Sequence, residues 1–201
     1  MRLKALLTCC LLFTAAGCVH QPQQPTKSEE KEVVKLGNAA CRKLMATLKR
    51  NLGMALKEGG LPGAIEFCSR QAQELTEKVN RELVLVKVSR VSDKFRNPKD
   101  RPTPLDLKVI NYFKEKLKEG KLPPYKVVKV KKGTETYFIY YKPIRVGAFC
   151  LNCHGDPRHM DPEVLRILRE KYPYDRALGY KVGQLRGVFK VVIPEKALKE
   201  G

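Results

Sequence analysis

Apolar positions recur at three- and four-residue steps from Ser28 to about Gly59. Cys41, Leu44, Met45, Leu48, Leu52, Ala55 and Leu56 fall on one face, which predicts a long amphipathic helix. Gly59-Gly60 stops it, and Pro62 opens a second helix whose stripe is Ile65, Cys68, Ala72, Leu75 and Val79. The pattern then shortens. Val and Leu alternate with polar residues from Leu83 to Val91, as in a strand, and an irregular stretch follows around Arg96-Asn97-Pro98 and Pro102. Pro104 to Lys118 is again amphipathic and helical. Two strand-like runs, Tyr125 to Lys131 and Thr134 to Val146, flank a hairpin turn at Lys132-Gly133, and the second delivers the chain to Cys150. Asp161-Pro162 caps a short helix ending near Tyr172-Pro173, and Arg186 to Ile193 is a last strand. Helices first and mostly antiparallel strands afterwards predict one α+β domain over residues 33–198, with no internal repeat.

The first residues depart from this pattern. Arg2 and Lys4 precede the apolar run Ala5 to Phe13, a targeting leader too short to span a bilayer as a permanent helix. Ala15-Ala16-Gly17-Cys18 resembles a bacterial lipobox, so residues 1–17 are expected to be removed and Cys18 to carry acyl chains, with Ala15 standing where Leu is commoner. The polar stretch beginning His20-Gln21-Pro22 has nothing to bury, and residues 18–32 are expected to tether the domain to the membrane. The expected location is the periplasmic side of a membrane.

Charge adds a second feature. Lys and Arg number 40 against 21 Asp and Glu, a formal net charge of +19, and the leader holds only Arg2 and Lys4 of the excess. Nucleic acid, an anionic membrane surface and an acidic protein all attract such a field. Export removes nucleic acid from the expected partners and leaves the membrane and an acidic redox partner; a Lys/Glu-rich surface that only keeps the protein soluble is the plainer reading.

The chemistry lies in the cysteines. Cys9 and Cys10 leave with the leader, and Cys41, Cys68, Cys150 and Cys153 remain in an oxidising compartment. Cys150-Leu151-Asn152-Cys153-His154 is a C-x-x-C-H run, the attachment pattern of c-type haem. Two thiols three positions apart on a tight turn reach the two vinyl groups of a porphyrin edge, and the following imidazole binds iron from the proximal side. One covalent haem c is therefore expected on Cys150, Cys153 and His154. A thioredoxin-like dithiol lacks its βαβ context, a zinc site would need completion by Cys41, Cys68 or His159, and a plain disulfide is the third alternative. For a sixth iron ligand the candidates are His159, Met160, Met45, Met54, Cys41 and Cys68. His159 and Met160 follow His154 too closely to round the macrocycle without strain, Met54 falls off the apolar stripe, and the pattern alone does not choose among the others.

Several ordered motifs carry a resemblance. Gly63-Ala64-Ile65-Glu66-Phe67-Cys68, Arg90-Val91-Ser92, Arg96-Asn97-Pro98, Tyr141-Lys142-Pro143-Ile144, Gly155-Asp156-Pro157, Tyr172 to Ala177, Gly179-Tyr180 and Gly183 to Gly187 are similar to the exported PAS-like mono-haem c-type cytochrome domains, over roughly residues 36–195. That resemblance implies a PAS-like antiparallel sheet with long N-terminal helices, and a haem held by the motif histidine and a cysteine, here His154 and Cys68. Cys41 has no counterpart and is expected to pack in the core. A thiolate ligand would lower the reduction potential relative to His/Met ligation. Arg96, in the Arg-Asn-Pro loop, or a nearby Lys is expected to balance a haem propionate.

An iron held on both sides leaves no open position, and no nucleophile and base pair stands elsewhere, so the chain is not expected to be an enzyme. The expected role is electron transfer by a membrane-tethered cytochrome. The alternatives are a haem-based redox or gas sensor signalling to a separate partner, since no output segment follows in the chain, and a structural zinc protein.

Overall fold

The computed structural model describes residues 24–199. The leader, Cys18, His20 and the start of the expected tether lie outside the described residues.

Helix α1, Lys27–Leu83, is interrupted at Gly59 and Gly60, where Gly60 takes φ +60° and the chain turns back on itself. Its two arms, 27–58 and 61–83, therefore form a helical hairpin, closed far from the turn by the ion pair Lys43 Nζ to Glu82 Oε2 at 2.9 Å. Thr26 and Glu29 cap the start reciprocally, Glu29 N–H donating to the Thr26 hydroxyl and Thr26 N–H to the Glu29 carboxylate. The helix thus begins at Lys27, one residue before the Ser28 that the apolar pattern predicts, and its first turns take up residues 27–32 of the expected tether. Glu29 is also fixed to the sheet by Lys129 at 2.6 Å.

Strands β1 (Lys87–Val91), β2 (Lys126–Lys132), β3 (Glu135–Arg145) and β4 (Leu185–Pro194) form one antiparallel sheet in the order β1-β4-β3-β2. Helices α2 (Pro104–Lys118), α3 (Leu151–His154) and α4 (Pro162–Lys171) complete the α+β domain. β1 begins later than Leu83 because α1 runs on to that residue. Asn80 then fixes the turn, its side-chain amide donating to Val88 O at 3.0 Å and accepting from Val88 N–H at 2.7 Å. The β2-β3 turn sits at Gly133-Thr134, one residue beyond the expected position, since Lys132 pairs with Glu135.

Both faces of the sheet are covered. Phe138, Tyr140, Val191 and Ile193 pack with Val33, Ala40, Cys41, Leu44 and Val79 of the helical hairpin. Ile139, Tyr141 and Val188 pack on the other side with Val109, Ile110 and Phe113 of α2. The hairpin lies close on the sheet: a Cβ at Gly37 would come within 2.4 Å of the Tyr140 ring, so only glycine fits there. α4 packs against the second arm of α1 through Ile65, Val164, Ile167 and Leu168. No helix of the described residues is long and apolar enough to cross a membrane.

Candidate functional site around the C-x-x-C-H turn

β3 and β4 are sheet neighbours, yet the chain leaves the sheet between Arg145 and Leu185. The base of this excursion is clamped by Val146 N–H to Gln184 O at 2.9 Å and Gly183 N–H to Val146 O at 2.8 Å. The C-x-x-C-H run begins just above the clamp. A 3-10 turn, Ala148–Cys150, leads into the single turn of α3. Gly155 closes it, donating to Leu151 O at 2.9 Å, where a Cβ would stand 2.5 Å from that same oxygen. The local sequence is thus wound into one tight helical turn carrying Cys150, Cys153 and His154.

His154 is held by a second segment of the excursion. Its Nδ1 lies 2.8 Å from Ala177 O, its own carbonyl accepts from Tyr180 N–H at 2.9 Å, and its ring meets Tyr180 edge-on at 6.3 Å between centroids. Burial, and then the positive charges of Arg96 and Arg186, push the imidazole well below its ordinary pKa. The ring is therefore neutral at pH 7. With the Nδ1 proton donated to Ala177 O, the free lone pair is on Nε2, the tautomer of a metal-binding histidine.

Arg96 ties this arrangement together. Its Nε pairs with Asp175 Oδ2 at 3.0 Å, and its Nη2 donates to Cys153 O at 2.5 Å and reaches Ala177 O at 3.5 Å. Both partners of the ion pair are buried, with side chains 10% and 8% exposed. Asp175 also accepts from Ala177 N–H at 2.7 Å. These donors are engaged within the protein, so Arg96 anchors the C-x-x-C-H turn to the 175–177 segment. Arg186 is likewise fixed, its Nη1 donating to Ser92 Oγ at 2.9 Å and Lys94 O at 3.0 Å, beneath the Tyr180 ring. Lys94 itself bonds Leu178 O.

Cys68 projects from the second arm of α1, one helical turn beyond Ile65, which packs in the same cluster as Cys153. Burial pushes the Cys68 thiol up, opposed by the charges of Arg90 and Arg96, and the Cys153 thiol is raised by burial with Cys68 and Cys150 adding to it. Cys68, Cys153 and His154 thus share one electrostatic neighbourhood, and all four described cysteines are free thiols. The other sequence candidates lie elsewhere. Cys41 is 3% exposed in the core between hairpin and sheet, with Met45 packed on the same cluster. Met54 is 47% exposed, the His159 side chain 79% exposed, and Met160 is buried among Ile65, Val164 and Ile167. Among the described residues no group of three or more His, Cys, Asp or Glu is arranged to hold a bare metal ion, so the zinc alternative finds no ligand set.

Sequence reasoning gave no role to Asp175, Ala177, Arg90 or Arg186. For the arginines a signal was present: a charged residue within Val-rich strands that both helical layers cover.

Fold and site together define a small α+β domain that presents a C-x-x-C-H turn beside a cysteine-bearing helical hairpin. The chain belongs to the Tll0287-like family, whose model matches residues 20–194. Among solved structures, the crystal structure of the cyanobacterial haem protein Tll0287 is similar, with a TM-score of 0.57 and 25% identity over 85% of this chain and 98% of that one. No match among curated proteins is significant.

Proposed function

We propose that the chain is a membrane-tethered mono-haem c-type cytochrome acting in electron transfer on the periplasmic side. The observation that carries this reading is the pair of free thiols, Cys150 and Cys153, one turn from an imidazole whose Nδ1 is already bonded to Ala177 O. Membership of a family that includes a haem protein supports it.

The donor set fits a haem. Cys150 and Cys153 would hold it through two thioethers, one to each vinyl group. His154 offers Nε2, held in direction by Ala177 and Tyr180. Cys68 would be a further donor to the iron, and a thiolate there would favour the ferric form. When bound, haem supplies a one-electron ferric/ferrous couple. The polypeptide keeps the imidazole neutral, holds the turn rigid through Arg96 and Asp175, and surrounds the site with positive charge. Cys18, outside the described residues, anchors the domain through its acyl chains. The net charge of +19 favours an acidic redox partner, met at a salt-sensitive rate. A carrier role of this kind needs no catalytic side chain.

The test is the protein matured by a working cytochrome c assembly system. A pyridine haemochrome spectrum of haem c, with pigment retained in acidified acetone, is expected. Colourless protein, or pigment that washes out, removes the reading. Cys68→Ala is expected to change the ferric absorption and EPR spectra, and unchanged spectra would eliminate Cys68 as a ligand. Displacement of a ligand by carbon monoxide in the reduced protein would favour the sensing alternative over electron transfer.

A further inference from the structure

Three guanidinium groups, those of Arg90, Arg96 and Arg186, surround His154 closely enough to act on its charge. Carboxylates do not balance them. Asp175 pairs with Arg96, whereas Asp100 accepts from the Gln73 side chain at 3.0 Å and reaches Arg186 only electrostatically. Arg186 is at least hydrogen-bonded, to Ser92 and Lys94.

Arg90 is different. It lies two positions after Val88 on β1, and strand alternation turns both toward the helical hairpin, where Val88 is fully buried. Its Nε is buried with no hydrogen-bond partner, and no ion pair among the described residues includes it. Around it stand Cys68, His154 and Tyr172, and no carboxylate of the described residues reaches it within ion-pair distance. A buried donor left without an acceptor is destabilising, and such groups are retained in native proteins where something completes them. The missing complement is a hydrogen-bond acceptor, and the planar guanidinium fork matches a carboxylate in both charge and shape.

We propose that Arg90 binds a carboxylate of the haem, one of its two propionates. This assignment rests on the cytochrome reading above. It moves the propionate contact, which the sequence suggested for Arg96, to the guanidinium whose donors are free. Arg96 and Arg186 hold the protein frame, and Arg90 faces the prosthetic group.

The experiment compares matured parent, Arg90→Gln and Arg90→Lys protein by haemochrome stoichiometry, ferric EPR and redox titration across pH. The parent is expected to show a midpoint potential that is flat around neutral pH, because an ion-paired carboxylate stays ionised. In Arg90→Gln the haem content and axial EPR signature are expected to persist. The midpoint potential should fall, and a protonation step should appear at a pH about one to three units above the parent's. Arg90→Lys, which keeps the charge, should stay near the parent. An Arg90→Gln potential and pH profile matching the parent's overturn the assignment, and so does an altered EPR signature without a new protonation step, since Arg90 would then act on the iron ligand. If Arg90→Gln does not mature, the parent and Arg90→Lys decide: a carboxyl step around neutral pH in the parent overturns the proposal, and flat profiles in both uphold it. A colourless parent would sink the cytochrome reading itself, an outcome distinct from all of these.

Discussion

His154 and Ala177 meet through a single hydrogen bond of 2.8 Å between the imidazole Nδ1 and a backbone carbonyl 23 residues away. A backbone partner fixes the tautomer without adding a titratable group. The bond is only as stable as the placement of the 175–177 segment, and that placement falls to Arg96 and Asp175. The chain therefore orients its histidine through a buried ion pair that does not touch the ring directly.

The first prediction follows from that pair. Removing either partner leaves the other buried and charged, so Asp175→Asn and Arg96→Gln should each cost about 3–5 kcal/mol. The double variant should cost less than the sum of the two, because neither charge is then orphaned. Urea denaturation of the four proteins measures this; additive losses would mean that the two side chains act separately.

Gly37 supplies a second prediction. Its absent side chain makes room for the Tyr140 ring, which is fully buried and anchored by its hydroxyl to Asn38 at 2.9 Å. Gly37→Ala gains helix propensity, worth about 1 kcal/mol, but forces the helix off the sheet at a cost of about 1–3 kcal/mol. A net loss of stability is expected in thermal unfolding, and a stabilised variant would refute the close approach.

Much of this architecture was legible because local chemistry marks it. Pro104 and Asp161-Pro162 announce α2 and α4, and the structure starts each helix at that proline. The C-x-x-C-H turn is likewise a contiguous signal. What the sequence hid depends on contacts distant along the chain. Gly59-Gly60 reads as a stop, but only packing shows that the second arm returns along the first. The helix was legible from Ser28, but the Lys129 contact that fixes its first turn to the sheet was not. Tyr140 and Tyr141 are both fully buried, so β3 lacks the alternation of a one-sided strand. Arg96 was expected to face a propionate, and nothing in the sequence pointed to its ion pair with Asp175, 79 positions away.

Cys41 and Cys68 separate in a third prediction. Burial pushes the Cys41 thiol up to about 12, and it packs against the core cluster that holds Leu44, Phe138 and Tyr140. Cys41→Ala should therefore lower stability by about 1–2 kcal/mol through the lost volume. The visible and EPR spectra of the matured protein should remain those of the parent. A spectral change in Cys41→Ala would move the ligand question from the second arm of α1 to the first.

The last prediction concerns acid. Asp106 lies on α2 with its side chain 1% exposed, accepting from the Tyr141 hydroxyl at 2.6 Å and pairing with Lys190 at 2.9 Å. Burial alone would raise its pKa, but the hydrogen bonds from Tyr141, Lys190 and Thr103 outweigh burial and hold the carboxyl below its usual range. A folded pKa below the unfolded one means that the unfolded chain takes up the proton first. The stabilisation is then present in full at neutral pH, begins to fade near the unfolded value of about 4, and is gone once pH falls through the folded pKa. Asp106→Asn should be less stable than the parent at pH 7, since the half-buried Lys190 ammonium loses its anion. The gap should narrow as the pH is lowered from about 5 toward 2. Urea midpoints of both proteins across that range test the sign: a gap that stays constant or widens in acid would show that Asp106 is not an ionised partner in the folded state.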